Sequence, residues 1–463
     1  MLSLKKACVL FLLFLIESQV YAQQQPAQIN LNTLLNRINR NAPSLLTDSA
    51  AIQIRKAEAN ETRFNWLPNL NLNYQADVGT NNNTTGGYFG FGIIPSNSGG
   101  RRATSNTDPV LTNLGIASFD WEIYNFGAYG AANKVAASEV KTEQNLFARS
   151  KFQLQGYAIS NYLELLRLQS LLLIQQKNIQ RNEEIRRSIL SLARSGVRAG
   201  VDTSIATAEL SKARLNYIEL ANQSKQLQLQ LSAISGIPAV QLVADTNEIP
   251  QLISSTPVSA LLGIDTVNHP LINYYKSLYE TNKERESLVK KSYNPKILLE
   301  GAAWGRGSSV DNSDNFNALS TGWGFQRSNY LVGVGITYNI FDLKRRQLRL
   351  GVQRAETNYS LKALQEQQNV LALSSGQANA ELFTAQERLR EIPIQLQAAE
   401  AAYRRNFSLY KNGLTDIVEL DAALNLLYRA ETDYTNAQNS YCRALFQKAL
   451  AQNQLGSLLN ILK

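Results

Sequence analysis

Any chemistry in this chain would have to be built from few reactive groups. His269 is the one histidine among the 463 residues, and Cys8 and Cys442 are the two cysteines. A zinc or haem site of the usual kind needs more nitrogen and sulfur donors than these, so neither a metal nor a cofactor is expected. No G-x-S-x-G turn presents a serine nucleophile, and no Walker-type loop is present to cradle phosphate. The run Gly86-Gly87-Tyr88-Phe89-Gly90-Phe91-Gly92 is rich in glycine, but Ile93-Ile94-Pro95 follows it and cannot open the helix a nucleotide site requires, so it reads as loop. His269 reads as a side chain that packs or faces solvent. What remains is charge and aromaticity. Asp416 and Glu419, three apart, share one helical face; they could collect cations, or simply favour a helix start through its dipole. Trp66, Trp121, Tyr124, Phe126, Tyr293, Tyr338 and Phe341 all stand where one backbone period gives way to another. Such a chain is expected not to be an enzyme.

The first 22 residues have the make-up of a secretory leader. Lys5 and Lys6 precede an apolar run from Ala7 to Ile16, and Val20-Tyr21-Ala22 offers a cleavage site, so the mature chain would begin at Gln23. The net charge of +9 becomes +8 when two lysines and one glutamate leave with it. Cys8 leaves too, and its place near the front of the apolar run is wrong for lipid acylation. Cys442 is then a single thiol, without an intrachain disulfide partner in an oxidising compartment. Beyond the leader no stretch approaches the roughly 18 apolar residues of a spanning helix, so entry into a membrane would have to be made by strands. The positive charge is dispersed, with no aromatic-and-basic motif to suggest a nucleic acid partner.

Proline placement shows that the chain is written twice. Pro43 and Pro68 are 25 residues apart, as are Pro270 and Pro295; two residues before each first proline stands an asparagine (Asn41, Asn268) and two before each second one an aromatic (Trp66, Tyr293). Trp121-Glu122-Ile123-Tyr124-Asn125-Phe126 then answers Tyr338-Asn339-Ile340-Phe341-Asp342-Leu343, and Gly200-Val201 answers Gly413-Leu414, at offsets of 227, 217 and 213. A duplicated structural unit with loops of differing length accounts for this. The first copy would cover 23–235 and the second 270–463. A non-repeating linker, 236–269, lies between them and could wrap the helices as a belt.

Each copy reads helix, strand, loop, strand, very long helix, turn, helix. Helices are expected at 43–65, 128–194 and 203–235, and again at 270–292, 344–410 and 416–455. Strands are expected at about 68–79, 111–124, 295–305 and 330–341, where apolar and polar residues alternate with period two; Ile297-Leu298-Leu299 makes the third the least regular. The intervening 79–109 and 305–329 are loops rich in Gly, Asn and Ser. As helix, 128–194 would reach about 100 Å. The helices at 43–65 and 203–235 together nearly match that reach, so they could stack end to end beside it. Leu210, Ala213, Tyr217, Leu220, Ser224, Leu227, Leu231 and Ile234 form a heptad-like seam, and Ala423, Leu427, Ala430, Tyr434, Ala437, Tyr441 and Ala444 form another. Both read as packing.

Four strands with one apolar face cannot close a barrel alone, because small barrels use about eight. In a bilayer the open edges would be prohibited, so several copies must combine. The aromatics at the helix–strand junctions would then form an interfacial girdle. Lys344, Arg345, Arg346 and Arg349 could meet lipid headgroups there, or serve only as a solvated first helical turn.

With these features in order, the chain resembles the TolC family of outer-membrane efflux proteins across essentially its whole mature length. The resemblance rests on the duplicated unit, the two proline pairs, the strand-end pattern Ile340-Phe341-Asp342 and the turns at Gly200 and Gly413. It implies a mainly α fold with transmembrane β structure: four strands per copy, and a homotrimer with a 12-stranded barrel in outer-membrane lipid above a 12-helix periplasmic tunnel. It also implies a passive exit duct for tripartite efflux or type I secretion, docked to a periplasmic adaptor and an inner-membrane pump. Family tunnels close where the helix pairs turn, here 195–203 and 410–416. The family's Tyr, Gly and acidic positions at the second turn match Tyr410, Gly413 and Glu419. A locking arginine of some members is Thr415 here, and a second acidic position falls on Ala422 with Asp421 beside it, so the lock and a double acidic ring are departures. Asp416, Glu419, Asp421 and Tyr410 are the gate candidates. Gly200, Val201, Gly413, Leu414 and Thr415 are the adaptor-contact candidates. The rival readings are a periplasmic adaptor, which would have one hairpin between soluble β-domains, and a secreted coiled coil, which leaves the strand alternation without a cause.

Overall fold

The computed structural model describes residues 28–80, 82, 104–194, 200–255 and 268–462. The leader, the glycine run at 86–92, residues 195–199 of the first helix turn and residues 256–267 of the linker lie outside the described residues. The elements in chain order are α1 (Leu31–Asn41), α2 (Pro43–Arg63), β1 (Asn69–Gly79), β2 (Val110–Tyr124), α3 (Ala128–Arg194), α4 (Gly200–Ser235), α5 (Glu248–Ser255), α6 (Pro270–Ser292), β3 (Lys296–Ser308), β4 (Arg327–Thr337), α7 (Asp342–Lys411), α8 (Ile417–Ala451) and α9 (Leu455–Ile461). The chain divides into two compact units. One comprises Met1–Gln53, Lys141–Leu278 and Leu361–Lys463; the other comprises Ile54–Val140 and Tyr279–Ser360.

The second unit holds one antiparallel sheet in the order β1-β2-β3-β4. Its register puts like residues on like faces. Leu72 pairs with Ala117, Ala117 with Ala303, and Ala303 with Tyr330; Leu70, Phe119, Gly301 and Val332 form the next such row. The opposite face carries Asn71, Asn73, Gln75 and Asp77 of β1, Ser118 and Asp120 of β2, Glu300 and Arg306 of β3, and Asn329 of β4. That face is not uniformly polar, because Ile116 pairs with Trp304 upon it. Every residue of β1 and β4 is exposed, as the two outer strands of an open sheet must be.

β4 ends at Thr337, short of the expected 341. Asn339 closes the strand: its side-chain oxygen accepts from the N–H of Phe341 at 3.0 Å, and its carbonyl accepts from that of Asp342 at 3.0 Å. This asparagine turn competes with the ladder and launches α7. β3 instead runs longer than expected, to Ser308, because Arg327 and Ser328 extend its partner toward the loop.

The other unit is helical. α1 has no counterpart in the sequence expectation, although Leu31, Leu34, Leu35 and Ile38 follow helical spacing and are all buried. Asn30 caps it by accepting from Thr33 N–H at 2.8 Å, and it stops at Ala42 because Pro43 disfavours the helical conformation in the residue before it. The Asn41 amide reaches the carbonyl of Ser235 at 3.5 Å, so the end of α1 abuts the end of α4. The expected 416–455 helix ends at Ala451, and the short helix α9 follows from Leu455. Asn453 turns into the left-handed region (φ 56°), and Gln454 N–H returns to Ala449 O at 2.7 Å. The seams are largely as expected: Leu210, Ala213, Ser224 and Leu231 are buried in α4, and all of the α8 series except Tyr434 are buried too. Tyr217 alone in the α4 series is exposed, at 37%.

The belt supplies a polar anchor at the centre of the main core. Glu248 is 4% exposed; its carboxylate accepts from Leu31 N–H at 3.0 Å and from the Tyr162 hydroxyl at 2.6 Å. His269 is buried against Phe152, with Leu271 N–H directed at Nδ1, which leaves Nε2 as the donor to Leu450 O at 3.1 Å. It packs. Cys442 is fully buried, and burial pushes its thiol up to about 12, which leaves it unreactive.

Burial is also the main cause that raises the Glu248 carboxyl above its ordinary value of 4.5, with the bonds from Tyr162 and Leu31 opposing and Asp245 adding. The folded chain therefore holds this proton where the unfolded chain has released it. Stability from this group is complete below about pH 4.5 and is lost as pH rises through the raised value. In Glu248→Gln that component disappears, so the decline in melting temperature from pH 4.5 toward neutrality becomes shallower than in the wild type. Equal slopes in the two proteins would refute it.

Candidate functional site

The turn between α7 and α8 is built from two interlocking end motifs. At the close of α7, Gly413 adopts φ +74°, its N–H bonds Tyr410 O at 3.0 Å, and Leu414 N–H bonds Leu409 O at 2.9 Å. This pairing satisfies the last carbonyls of the helix and calls for glycine at the left-handed position. At the start of α8, Asp416 is the N-cap and accepts from Glu419 N–H at 2.9 Å, while the Thr415 hydroxyl donates to the Glu419 carboxylate. Asp416 and Glu419 are exposed and adjacent, as their spacing implied, and Asp416 has a capping role whatever else it does.

The remaining candidates separate. Tyr410 is fully buried in a cluster with Ile189, Tyr403, Ile417, Leu420 and Leu424. Asp421 is half-buried on another face, beside Glu209 of α4. Burial first, then the Glu209 charge, lifts its carboxyl above the usual range, while Asn425 donates to it at 2.9 Å. Gly200 and Val201 lie in the first turn of α4, because that helix begins three residues before the expected 203. Val201, Leu414 and Val418 are 62%, 73% and 67% exposed, so apolar side chains stand in the open at both helix ends.

Sequence reasoning missed the ties that hold these helices together. Arg181 of α3 forks onto Glu431 of α8 at 2.8 and 2.6 Å, with both groups largely buried and the guanidinium 5.9 Å from the Tyr403 ring. Lys411 reaches Glu184 at 3.2 Å and lies over Phe407, and Arg214 reaches Glu183 at 2.7 Å. Partners up to 250 residues apart leave no local signal.

At the sheet's helical end the expected aromatics do gather. The Trp121 indole donates to Trp66 O at 2.7 Å with the rings 6.3 Å apart, Tyr124 meets Phe126 edge-on at 4.8 Å, and Phe126 takes φ 52°. Tyr338 and Phe341 are 42% and 76% exposed in the turn after β4, and Tyr293 is partly buried just before β3. Lys344, Arg345 and Arg349 follow on the exposed side of α7, with Arg345 held to Asp342 at 3.1 Å. No helix among the described residues is long and apolar enough to cross a membrane.

A family model described as outer membrane efflux protein matches residues 34–237 and 287–452, most of the chain. The chain belongs to that family. As an outer membrane efflux protein it is a channel whose place is the outer membrane. Solved structures share its fold at low identity. The outer-membrane channel OprN is 17% identical, with a TM-score of 0.70 over 92% of this chain and 90% of its own. VceC of Vibrio cholerae is 14% identical, with a TM-score of 0.71 over 91% and 95%. MtrE of Neisseria gonorrhoeae, described in an open state, is 17% identical, with a TM-score of 0.66 over 92% and 89%. No curated protein gives a significant match.

Two outcomes follow for the efflux protein's helix ends. A Cβ at Gly413 would meet no atom within 4 Å, so Gly413→Ala tests backbone strain alone and should cost about 1–2 kcal/mol in a denaturation measurement; a neutral result would contradict the left-handed turn. A double-mutant cycle with Arg181→Met and Glu431→Gln should give a coupling of about 1–3 kcal/mol, as for a charge-assisted bidentate pair. Additive single effects would mean that the pair does not join α3 to α8.

Proposed function

We propose that this efflux channel is a homotrimer in which β1 of one copy pairs with β4 of the next, giving a 12-stranded barrel and a 12-helix tunnel. The observation that carries the reading is the open four-stranded sheet: one face carries an apolar strip through Leu70, Leu72, Ala117, Phe119, Val332 and Val334, and both edges carry unpaired N–H and C=O groups that cannot be left so in lipid. The duct is passive and non-enzymatic. A periplasmic adaptor docks on the exposed apolar residues of the helix ends, Val201 and Leu414 among them with Gly200, Gly413 and Thr415, and an inner-membrane pump supplies the energy.

Gating belongs to the α7–α8 turn. Three copies of Glu419, backed by Asp416, would set a ring of carboxylates around a narrow passage, attracting cations and repelling one another. The buried Tyr410 supports that turn from within its cluster, and Asp421 faces α4, where its charge responds to how α4 and α8 are packed. The open state described for the MtrE channel supports a duct that opens. The purified protein in planar bilayers should show low conductance and cation preference. In Glu419→Ala the ratio of potassium to chloride permeability should fall toward unity; unchanged selectivity would remove Glu419 from the gate. A protein that forms no channel at all would sink the whole reading.

A further inference from the structure

One row of the sheet's apolar face lacks side chains where the face should be bulkiest. Tyr74 of β1 opens the row, but its partners on the central strands are Gly115 and Gly305, and the adjacent row toward the loops pairs Asn113 with Gly307. The space above these glycines is filled by the chain itself. A Cβ at Gly115 or Gly305 would come within 2.8 or 2.9 Å of the Phe325 ring, and one at Gly307 would overlap the carbonyl of Gly324. The Phe325 ring meets Tyr74 edge-on with centroids 6.4 Å apart. The segment between β3 and β4 therefore folds back over the apolar face, rather than rising clear of the strand ends.

The segment is anchored at polar points. Asn113, the one amide side chain on this face, is 3% exposed and donates to Trp323 O at 2.5 Å. Gln326 N–H bonds Arg306 O at 2.8 Å, and Gln326 Nε2 bonds Ser308 O at 2.7 Å. Covering Asn113 removes from a lipid-facing surface a group that would be costly there. The cover itself is apolar: Leu319, Trp323 and Phe325 are 41%, 56% and 58% exposed, and Tyr330 beside them is 85% exposed. In water such a patch would be a liability. At the outer edge of a bilayer, large rings with a polar edge or backbone nearby are what the boundary between headgroups and acyl chains favours.

We propose that residues 319–325 are an outer-leaflet lipid anchor. Phe325, seated on the glycine floor, and Trp323, exposed two residues before it, complete, at the loop end of the sheet, the aromatic girdle that Tyr74 and Tyr330 begin. The partner is the lipid of the outer leaflet. The argument for it is continuity: this surface prolongs the strip of Leu72, Ala117, Val332 and Val334. The inference rests on the reading that this strip meets lipid.

The test is collision accessibility of nitroxide labels in the full chain reconstituted into lipid vesicles. Labels go on Trp323→Cys, Val334→Cys and Asn73→Cys, one at a time, with Cys8 replaced by serine and Cys442 protected by burial. Labels at 323 and 334 should favour oxygen over a water-soluble nickel chelate severalfold more than the label at 73, with 323 the shallower of the two. A label at 323 that behaves like 73 while 334 stays in lipid overturns the anchor and leaves the barrel reading standing. A label at 334 that behaves like 73 overturns both. Adding Gly305→Val, whose side chain would take the seat of Phe325, should shift the 323 label to the aqueous profile; an unchanged profile would refute the glycine seat.

Discussion

A backbone amide inside hydrocarbon has no water to turn to, and most of this architecture answers to that constraint. β1 and β4 each leave one side of their ladder open, and the strip of Leu70, Leu72, Val332 and Val334 makes water a poor place for the sheet as well. Only closure against further strands satisfies both demands at once. The proposed trimer supplies them without new sequence, since each copy brings the edge that its neighbour lacks. Aromatic rings at the helical end of the sheet then acquire a physical reason to be half exposed: amphipathic side chains gain most at a boundary between solvents.

The long helices face a different problem. α3 and α7 span 67 and 70 residues, too long for one compact core to hold, so they are fastened at intervals. One fastening is the belt, where Glu248 and Tyr162 bind the start of α1 to α3 within a core of Leu and Ile. Another is the cluster around Tyr410, Tyr403 and Leu420, with Arg181 and Glu431 at its margin. Between such points small and large residues alternate along the buried seam of α8, Ala423, Leu427, Ala430, Ala437, Tyr441 and Ala444.

Some of the long helices were legible in the sequence almost to the residue. Ala128–Arg194 and Pro270–Ser292 fall where proline, glycine and periodicity put them, and the Gly413 turn follows from a glycine after a long helical pattern. The failures have local causes. β4 stops early because the Asn339 side chain captures the next backbone N–H, a choice that alternation alone does not reveal. α1 escaped notice because Pro43 marked a helix start so clearly that the apolar spacing before it went unread. Tyr410 lies inside its cluster, and only the packing of α3, α7 and α8 together shows this. The Arg181–Glu431 fork is invisible for the same reason.

Duplication explains the symmetry of the sheet, and the departures from it show where each copy has been adapted. Aligned on Pro68 and Pro295, 227 residues apart, Leu72 corresponds to Leu299, but Tyr74 and Val78 correspond to Gly301 and Gly305. Two strands of common origin thus present bulky side chains along β1 but, beyond Leu299, only glycine and alanine along that face of β3. Loss of strand propensity at β3 would be a defect if the face were simply bare, because glycine weakens a strand and packs nothing. It is coherent once Phe325 occupies the vacated volume, as its ring contacts with the Gly115 and Gly305 positions require. The bulk removed from the strand returns from the adjoining loop, together with a carbonyl that accepts from the Asn113 amide. In the proposed trimer an edge strand such as β1 keeps its own side chains to meet a neighbouring copy, whereas a central strand already paired on both sides is free to give them up.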